Sequence, residues 1–491
     1  MTQNTAIHLI KSLSGAEKRF FKLYAKRQSV DRCYLDLFAL IDKTVHPEQQ
    51  AIFEAFQKKH PSVSVHNTAR YLVKVLTDCL VQLKTEKDPF FQQLHGIMQV
   101  QVLQERSLPG EAARQLGRIR DKAQRLQQQV IEYLTWRYEL NFAADGNFGG
   151  IHDQQLVDMQ MKARNVLKSI NHIQDHHSLF ELLKYRLVNA GRISSEENKK
   201  QLNDLMLSEM GLVAGRSGKS FAAHKLHLLF QSFFFTDIGD YHSALKTFAS
   251  LNQLFERHLE LLEHPPVDYL STLNGILDNL HMLEQYSQMA FYMDKALQLD
   301  QPAYPGYFRY RVRKTVAVYQ LVSLITRQQY QEATALVSTE LLEAYNMVDE
   351  EKQWELYFYY SLAWFRMGNW KKAHQQIAAV SQRQQPHPRW LVCKAIRLLN
   401  IIVHYEKGDA DYIEYELRSY KRFFGKEQQL KSESLLFRFM KLCPAPGRAK
   451  MQETRLRSMT HALQGLQKDQ YERQLLKYFD ITTWVAQKLG K

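Results

Sequence analysis

The segment Thr236-Asp-Ile-Gly-Asp-Tyr-His-Ser-Ala-Leu-Lys-Thr-Phe248 reads as the junction between two helices, and its recurrence constrains the chain more than any other feature. Phe221 to Phe235 is apolar at helical spacing. Gly239 then supplies the left-handed conformation that ends a helix without a Cβ penalty, and Asp240 is placed to cap the next one. Tyr241, Ala244, Leu245 and Phe248 share one face of that second helix, where the small Ala244 permits close approach. The same grammar returns at Glu284-Gln-Tyr286, Gln329-Tyr330, Gly368-Asn-Trp370 and Gly408-Asp409-Ala410. Taking positions 241, 286, 330, 370 and 410, the steps are 45, 44, 40 and 40 residues, a period that demands a repeat architecture.

Upstream, turn centres near 109, 148, 193 and 241 extend the period with steps of 39, 45 and 48. Ser107-Leu-Pro-Gly110 separates helices predicted over 90–106 and 111–128. Asp145-Gly-Asn-Phe-Gly-Gly150 separates 131–143 from 154–170, and Ala190-Gly-Arg-Ile-Ser-Ser195 separates 178–188 from 196–210. About eight hairpins would then fill residues 89 to 425. Before them, four short helices are expected: one opened by the capping box Ser14-Gly-Ala-Glu17, one capped by Asp31, one started by Pro47, and a longer one from His66 to about Lys84. After them come helices predicted over 428–442, 448–466 and 469–489.

Gly239-Asp-Tyr-x-x-Ala244 and Gly368-Asn-Trp-x-x-Ala373 resemble the helix-turn-helix junction of tetratricopeptide (TPR) repeats. The steps exceed the roughly 34 residues of that repeat, so the likeness is to TPR hairpins with lengthened helices, over about residues 220 to 425. The opening Ser14-Gly-Ala-Glu-Lys-Arg-Phe-Phe-Lys22 and the closing Tyr478-Phe-Asp-Ile-Thr-Thr-Trp484 resemble a group of uncharacterised bacterial helical-repeat proteins, a likeness that brings no activity with it. The expected fold is all-α: an α-solenoid of about eight TPR-like helical hairpins over 88–425, with a helical N-terminal cap over 1–87 and C-terminal capping helices over 426–491. In TPR-like arrays the first helix of each hairpin lines a concave groove, and such arrays offer an extended surface rather than an enclosed pocket.

Hydrophobic residues at 45%, with only 12 prolines and 20 glycines, suit a packed chain without long linkers. No stretch approaches the roughly 18 apolar residues of a membrane span, and Met1 to Ser14 lacks a secretory pattern, so a cytoplasmic location is expected. Cys33, Cys79, Cys393 and Cys443 are too dispersed for a metal cluster or redox dithiol. The net charge of +14 is uneven: residues 201 to 300 hold 6 basic and 12 acidic residues, whereas 301 to 491 hold 30 and 18. A basic region of this kind can attract nucleic acid, an anionic surface or an acidic protein.

Motifs for chemistry are incomplete. Gly215-Arg-Ser-Gly-Lys-Ser220 lacks the first glycine of a phosphate loop, since Val213 stands there. His172-Ile-Gln-Asp-His176 spaces two imidazoles for zinc but has Ile173 where a metalloprotease needs glutamate. Asp349-Glu-Glu351 and Glu196-Glu197 sit at expected helix starts, where the macrodipole favours negative charge. No catalytic residue, cofactor or metal is expected.

Two stretches suit binding. Tyr307-Phe-Arg-Tyr-Arg-Val-Arg-Lys314 sets Tyr307, Arg311 and Lys314 on one helix face and Arg309 and Arg313 on the next, a surface for an acidic or carboxylate-bearing protein segment. Arg114, Arg118, Lys122 and Arg125 form a basic stripe that could follow a phosphate backbone, and Arg70 and Lys74 stand on a helix with the polar start of a DNA-reading element. The leading expectation is a non-enzymatic scaffold that binds a protein or peptide in the groove. The alternative is a nucleic-acid-associated regulator with a contact region in residues 1 to 87. A groove filled by the protein's own terminal helices, without an exposed cationic face, would count against the first.

Overall fold

The computed structural model describes residues 2–28, 33–44, 49–190, 200, 202–214, 220–338, 341–342, 349–383, 387, 390–425, 429–442, 465–466 and 469–490. These residues are all-helical, with no strand among them. They form two compact units: residues 1–173 with 260–265 and 302–309, and residues 174–259, 266–301 and 310–491.

The first unit opens with α1 (Thr2–Ser12), α2 (Gly15–Gln28), α3 (Cys33–Lys43), α4 (Gln49–Lys59) and α5 (Val65–Lys87). Helix α1 is one more than the sequence reading placed there, and Ala6 and Ile10 on it are completely buried. Helix α5 organises the group. Its Ala69, Leu72, Val75, Leu76 and Cys79 pack with Ile10, Phe21, Tyr34, Phe38 and Phe56 in one core. Ser14 and Glu17 form the expected capping box, with the Ser14 N–H donating to Glu17 at 2.7 Å and the Glu17 N–H donating to the Ser14 hydroxyl at 3.2 Å. Asp31 and Pro47 lie outside the described residues. Asp88 ends α5 and caps α6 (Pro89–Glu105) by accepting from the Phe90 N–H at 2.9 Å. Helices α7 (Pro109–Arg125) and α8 (Gln129–Asp145) follow, each packed on its predecessor.

Next in the chain come α9 (Asp153–Ala190) and α10 (Asn203–Ala214), then α11 (Phe221–Asp237), α12 (Tyr241–Arg257), α13 (Val267–Met282), α14 (Tyr286–Leu297), α15 (Gly306–Thr326) and α16 (Tyr330–Leu336). After them are α17 (Glu350–Arg366), α18 (Trp370–Arg383), α19 (Leu391–Lys407), α20 (Ala410–Phe424), α21 (Lys431–Leu442), α22 (Gln470–Leu476) and α23 (Ile481–Gly490).

One junction geometry recurs. A residue of positive φ follows the first helix: Gly239 (81°), Glu284 (58°), Gln328 (62°), Gly368 (74°) and Gly408 (76°). The next residue's N–H then donates to the carbonyl five positions back, as in Asp240 to Phe235 (2.9 Å), Gln285 to Leu280 (2.9 Å) and Asn369 to Trp364 (3.0 Å). This is the hydrogen-bond closure of a Schellman motif. Ser107 and Gln127 adopt the same φ, and Leu108 and Gln128 make the same bond, so α6 to α8 follow the rule too. Where no glycine is present, Glu284 and Gln328 bear the left-handed strain themselves.

The predicted break between 170 and 178 is absent: α9 is one helix of 38 residues. The intervening Asn171-His-Ile-Gln-Asp-His-His177 is polar but carries neither glycine nor proline, and polarity alone does not end a helix. The opposite error occurs at the C-terminus, where one helix was expected over 469–489. Asp480 accepts from the Thr483 N–H at 3.0 Å and caps a new helix, so the chain turns between α22 and α23.

Close approach of α12 and α13 depends on Gly275. A Cβ built there would lie 2.3 Å from the buried Phe248 ring. We expect Gly275→Ala to cost about 1–3 kcal/mol by overpacking, read as a lower denaturant midpoint, with Phe248→Leu in the same chain restoring most of it.

Candidate binding surfaces

The cations expected to meet an acidic partner are engaged within the protein. Tyr307 and Arg309 belong to the first unit, and Arg311, Arg313 and Lys314 to the second. Arg311 reaches Asp349 at 3.7 Å, and Arg313 Nε reaches Asp300 at 2.5 Å. Lys314 is only 1% exposed; its Nζ points to the Asp349 carbonyl at 3.4 Å and lies 4.8 Å from the Tyr310 ring centroid. Burial pulls the Lys314 ammonium down to about 8, with Asp349 opposing that shift. The cationic face expected from Tyr307, Arg311 and Lys314 is therefore not an open one. Helix α15 buries Val312, Val316, Val318, Leu321 and Val322 with Lys314 among them, while Arg313 on the neighbouring face stays exposed.

The nucleic-acid candidates are placed differently. Arg70 and Lys74 are exposed on α5. On α7, Ala112, Leu116, Ile119 and Ala123 are buried, leaving Arg114, Arg118 and Arg125 on the solvent side. Arg114 pairs with Glu111 one turn away, and Lys122 donates to Gln92 at 2.9 Å. The stripe exists as a solvated helix face.

The remaining motifs serve as helix ends or fall outside view. Residues 215–219 and 196–197 lie outside the described residues, while Ser220 caps α11 through the Ala223 N–H at 3.2 Å. Asp349 caps α17 through the Lys352 N–H at 3.2 Å, with Glu350 and Glu351 in the first turn. His172 and His176 stand on one continuous helix, and no group of three potential metal ligands occurs among the described residues.

Sequence reasoning missed the closing segment. Helices α22 and α23 reach α11, α13, α17, α19 and α21. Gln474 donates to the Asp237 carbonyl (3.4 Å), Lys477 pairs with Asp278 (2.7 Å), and Arg473 donates to the Met282 carbonyl (2.9 Å). The Tyr478 hydroxyl donates to Glu355 (3.0 Å), and the Trp484 N–H and Lys488 both meet Glu406, at 3.0 and 2.8 Å. Tyr478 stands edge-on to Phe358, Phe479 to Phe365, and Trp484 to Tyr405 and Phe439. Beside Lys477, burial pushes the His281 imidazole down to about 4, so it stays neutral as it meets the Tyr359 hydroxyl.

This segment belongs to the core rather than to an exchangeable ligand. Leu475, Tyr478, Phe479, Ile481, Trp484 and Val485 are all buried. Each such side chain contributes about 1.5–3 kcal/mol of burial. The signal in the sequence was the uneven charge: the acidic stretch supplies Asp278 and Asp300, and the basic one supplies Lys477 and Arg313. The two blocks pair with each other inside the second unit.

An open apolar surface remains in the first unit. Phe90, Leu94, Met98 and Val102 recur every four residues along α6 and are 36%, 37%, 63% and 53% exposed. Gln93, Ile97 and Val100 take the buried side of the same helix. No protein-family model matches this chain, and neither the curated proteins nor the solved structures give a match.

Proposed function

We propose that this chain is a non-enzymatic scaffold, an α-solenoid of about eight TPR-like hairpins in the cytoplasm, and that it binds a protein partner through an amphipathic helix laid along α6. The observation that carries this reading is the exposed stripe of Phe90, Leu94, Met98 and Val102. Four apolar side chains at helical spacing are the receiving half of a helix-in-groove contact. The first helices of the second unit already hold such a partner from within the chain, in α22 and α23. A first helix with an uncovered apolar stripe is suited to the same kind of occupant. Leu94→Glu with Met98→Glu leaves the buried side of α6 untouched. It is expected to abolish co-purification of a near-stoichiometric partner from native cells, with the helical circular dichroism and the unfolding midpoint retained. A partner recovered equally with the double variant would refute this surface.

A second reading is supported by the exposure of Arg70 and Lys74 at the polar start of α5. It is a nucleic-acid-associated regulator, for which binding should weaken steeply with salt and vanish when both residues become glutamate. Nuclease treatment during the capture separates the two, since only the second loses its partner.

A further inference from the structure

Three side chains from α3 and the end of α4 stand in line in the first unit. Cys33, the first residue of α3, places its Sγ 3.7 Å from His60 Nδ1, and the other ring nitrogen, Nε2, lies 3.0 Å from Asp36 Oδ2. Asp36 is one helical turn along α3 from Cys33, so a single helix holds both ends of the array. His60 follows the last turn of α4, where its backbone N–H donates to the Phe56 carbonyl at 2.9 Å and its ring lies 5.0 Å from the buried Phe56 ring. These contacts fix the imidazole between the thiol and the carboxylate.

The carboxylate decides which nitrogen is the base. Asp36 also meets Lys59 at 3.0 Å, and that hydrogen bond, together with the one from His60, holds its carboxyl below the ordinary carboxylate range, so it is ionised and only accepts. His60 Nε2 therefore carries the hydrogen, and Nδ1 presents its lone pair to the thiol. A nucleophile, a base and a group that orients the base form the arrangement that activates a cysteine. The place of Cys33 at the start of α3 adds to this, because the free N–H groups and the macrodipole there favour a thiolate. Cys33 is only partly buried, whereas burial pushes the Cys79 thiol up to about 11 and the Cys393 thiol up to about 12. The array is a proton relay rather than a metal site: Cys33 and Asp36 meet opposite nitrogens of one ring, and no group of three potential metal ligands converges among the described residues.

We infer that Cys33, activated by His60, is a site of reversible S-thiolation by a low-molecular-weight disulfide. The Cys33 proton passes to His60 Nδ1 as the thiolate attacks one sulfur of the disulfide. The new Sγ–S bond forms as the disulfide's own S–S bond breaks, and the departing thiolate takes the proton from His60. Cys33 is oxidised and one half of the disulfide leaves reduced, so no further reactant is required. An excess of small thiol runs the same exchange backwards. Because Cys33 packs against the core that α5 organises, the adduct sits where it bears on the packing of α3.

The test treats the full chain with oxidised glutathione at neutral pH and follows the adduct on Cys33 by peptide mass mapping, with the urea-unfolded chain as the reference. Cys33 should react about tenfold faster in the folded chain, because an unactivated thiol is only slightly ionised at that pH. His60→Gln should bring the folded rate down to the unfolded one at neutral pH and leave it unchanged at about pH 10, where the thiol ionises unaided. A variant that merely closed access to the sulfur would lower both rates. If His60→Gln does not fold, the comparison of the folded and unfolded natural chain decides alone. Thiolation of Cys33 no faster than in the unfolded chain, or a neutral-pH rate that folded His60→Gln leaves unchanged, would overturn the assignment.

Discussion

Trp484→Ala is expected to lower the stability of the second unit by about 3–5 kcal/mol, at the upper end for a buried aromatic. Trp484 is 4% exposed and edge-on to Tyr405 and Phe439 at 5.3 and 5.7 Å. Truncation opens a void between α19, α21 and α23 that three packed helices cannot close, and it removes the indole donor from Glu406. Lys488 still meets that carboxylate, so the loss is chiefly one of packing. Tyr415→Ala is the control, because Tyr415 is 59% exposed and should shift the denaturation midpoint by no more than about 0.5 kcal/mol. The measurement is equilibrium denaturation followed by intrinsic fluorescence and circular dichroism. An unchanged helical transition in Trp484→Ala would mean that α22 and α23 are a detachable ligand, and that the first helices of this unit form an available groove.

The junctions were legible in the sequence because their chemistry is local. Gly239, Gly368 and Gly408 announce a positive φ, and Asp240 and Asp409 announce a cap, each within a few residues of the bond it makes. At Glu284 and Gln328 no glycine announces the turn, and it is the tyrosines that follow, Tyr286 and Tyr330, that mark the start of the next helix. The closing segment was not legible for the opposite reason. Lys477 and Asp278 are 199 positions apart, and nothing in either neighbourhood specifies the other. Block charge counts showed that acidic and basic regions exist, but they do not distinguish attraction toward a partner from attraction within the fold. The same limit applies to α15. Helical spacing groups Tyr307, Arg311 and Lys314 correctly, but it does not say which way that face points.

Lys314 turns that difference into a second large effect, this one with a positive sign. Its ammonium is pulled from 10.5 to about 8 by burial, so at neutral pH the folded chain holds a charge in a place that disfavours it. The unfolded chain keeps that proton up to its ordinary value and the folded chain gives it up near 8, so the penalty is complete below pH 8. It is relieved as the pH rises toward 10.5. A shift of this size corresponds to at most about 3 kcal/mol. Lys314→Met keeps the apolar stem and removes the charge without opening a void. Asp349 still caps α17 through its side chain, a bond that does not involve Lys314. We therefore expect Lys314→Met to gain about 1–3 kcal/mol at pH 7, with the gain shrinking between pH 8 and 10.5 in denaturation series across that range. A binding cation on an open groove predicts the reverse pattern: an unchanged midpoint and the loss of an acidic partner. A fall in stability on Lys314→Met would show instead that the contact with the Asp349 carbonyl outweighs desolvation and that the ammonium fastens the start of α17.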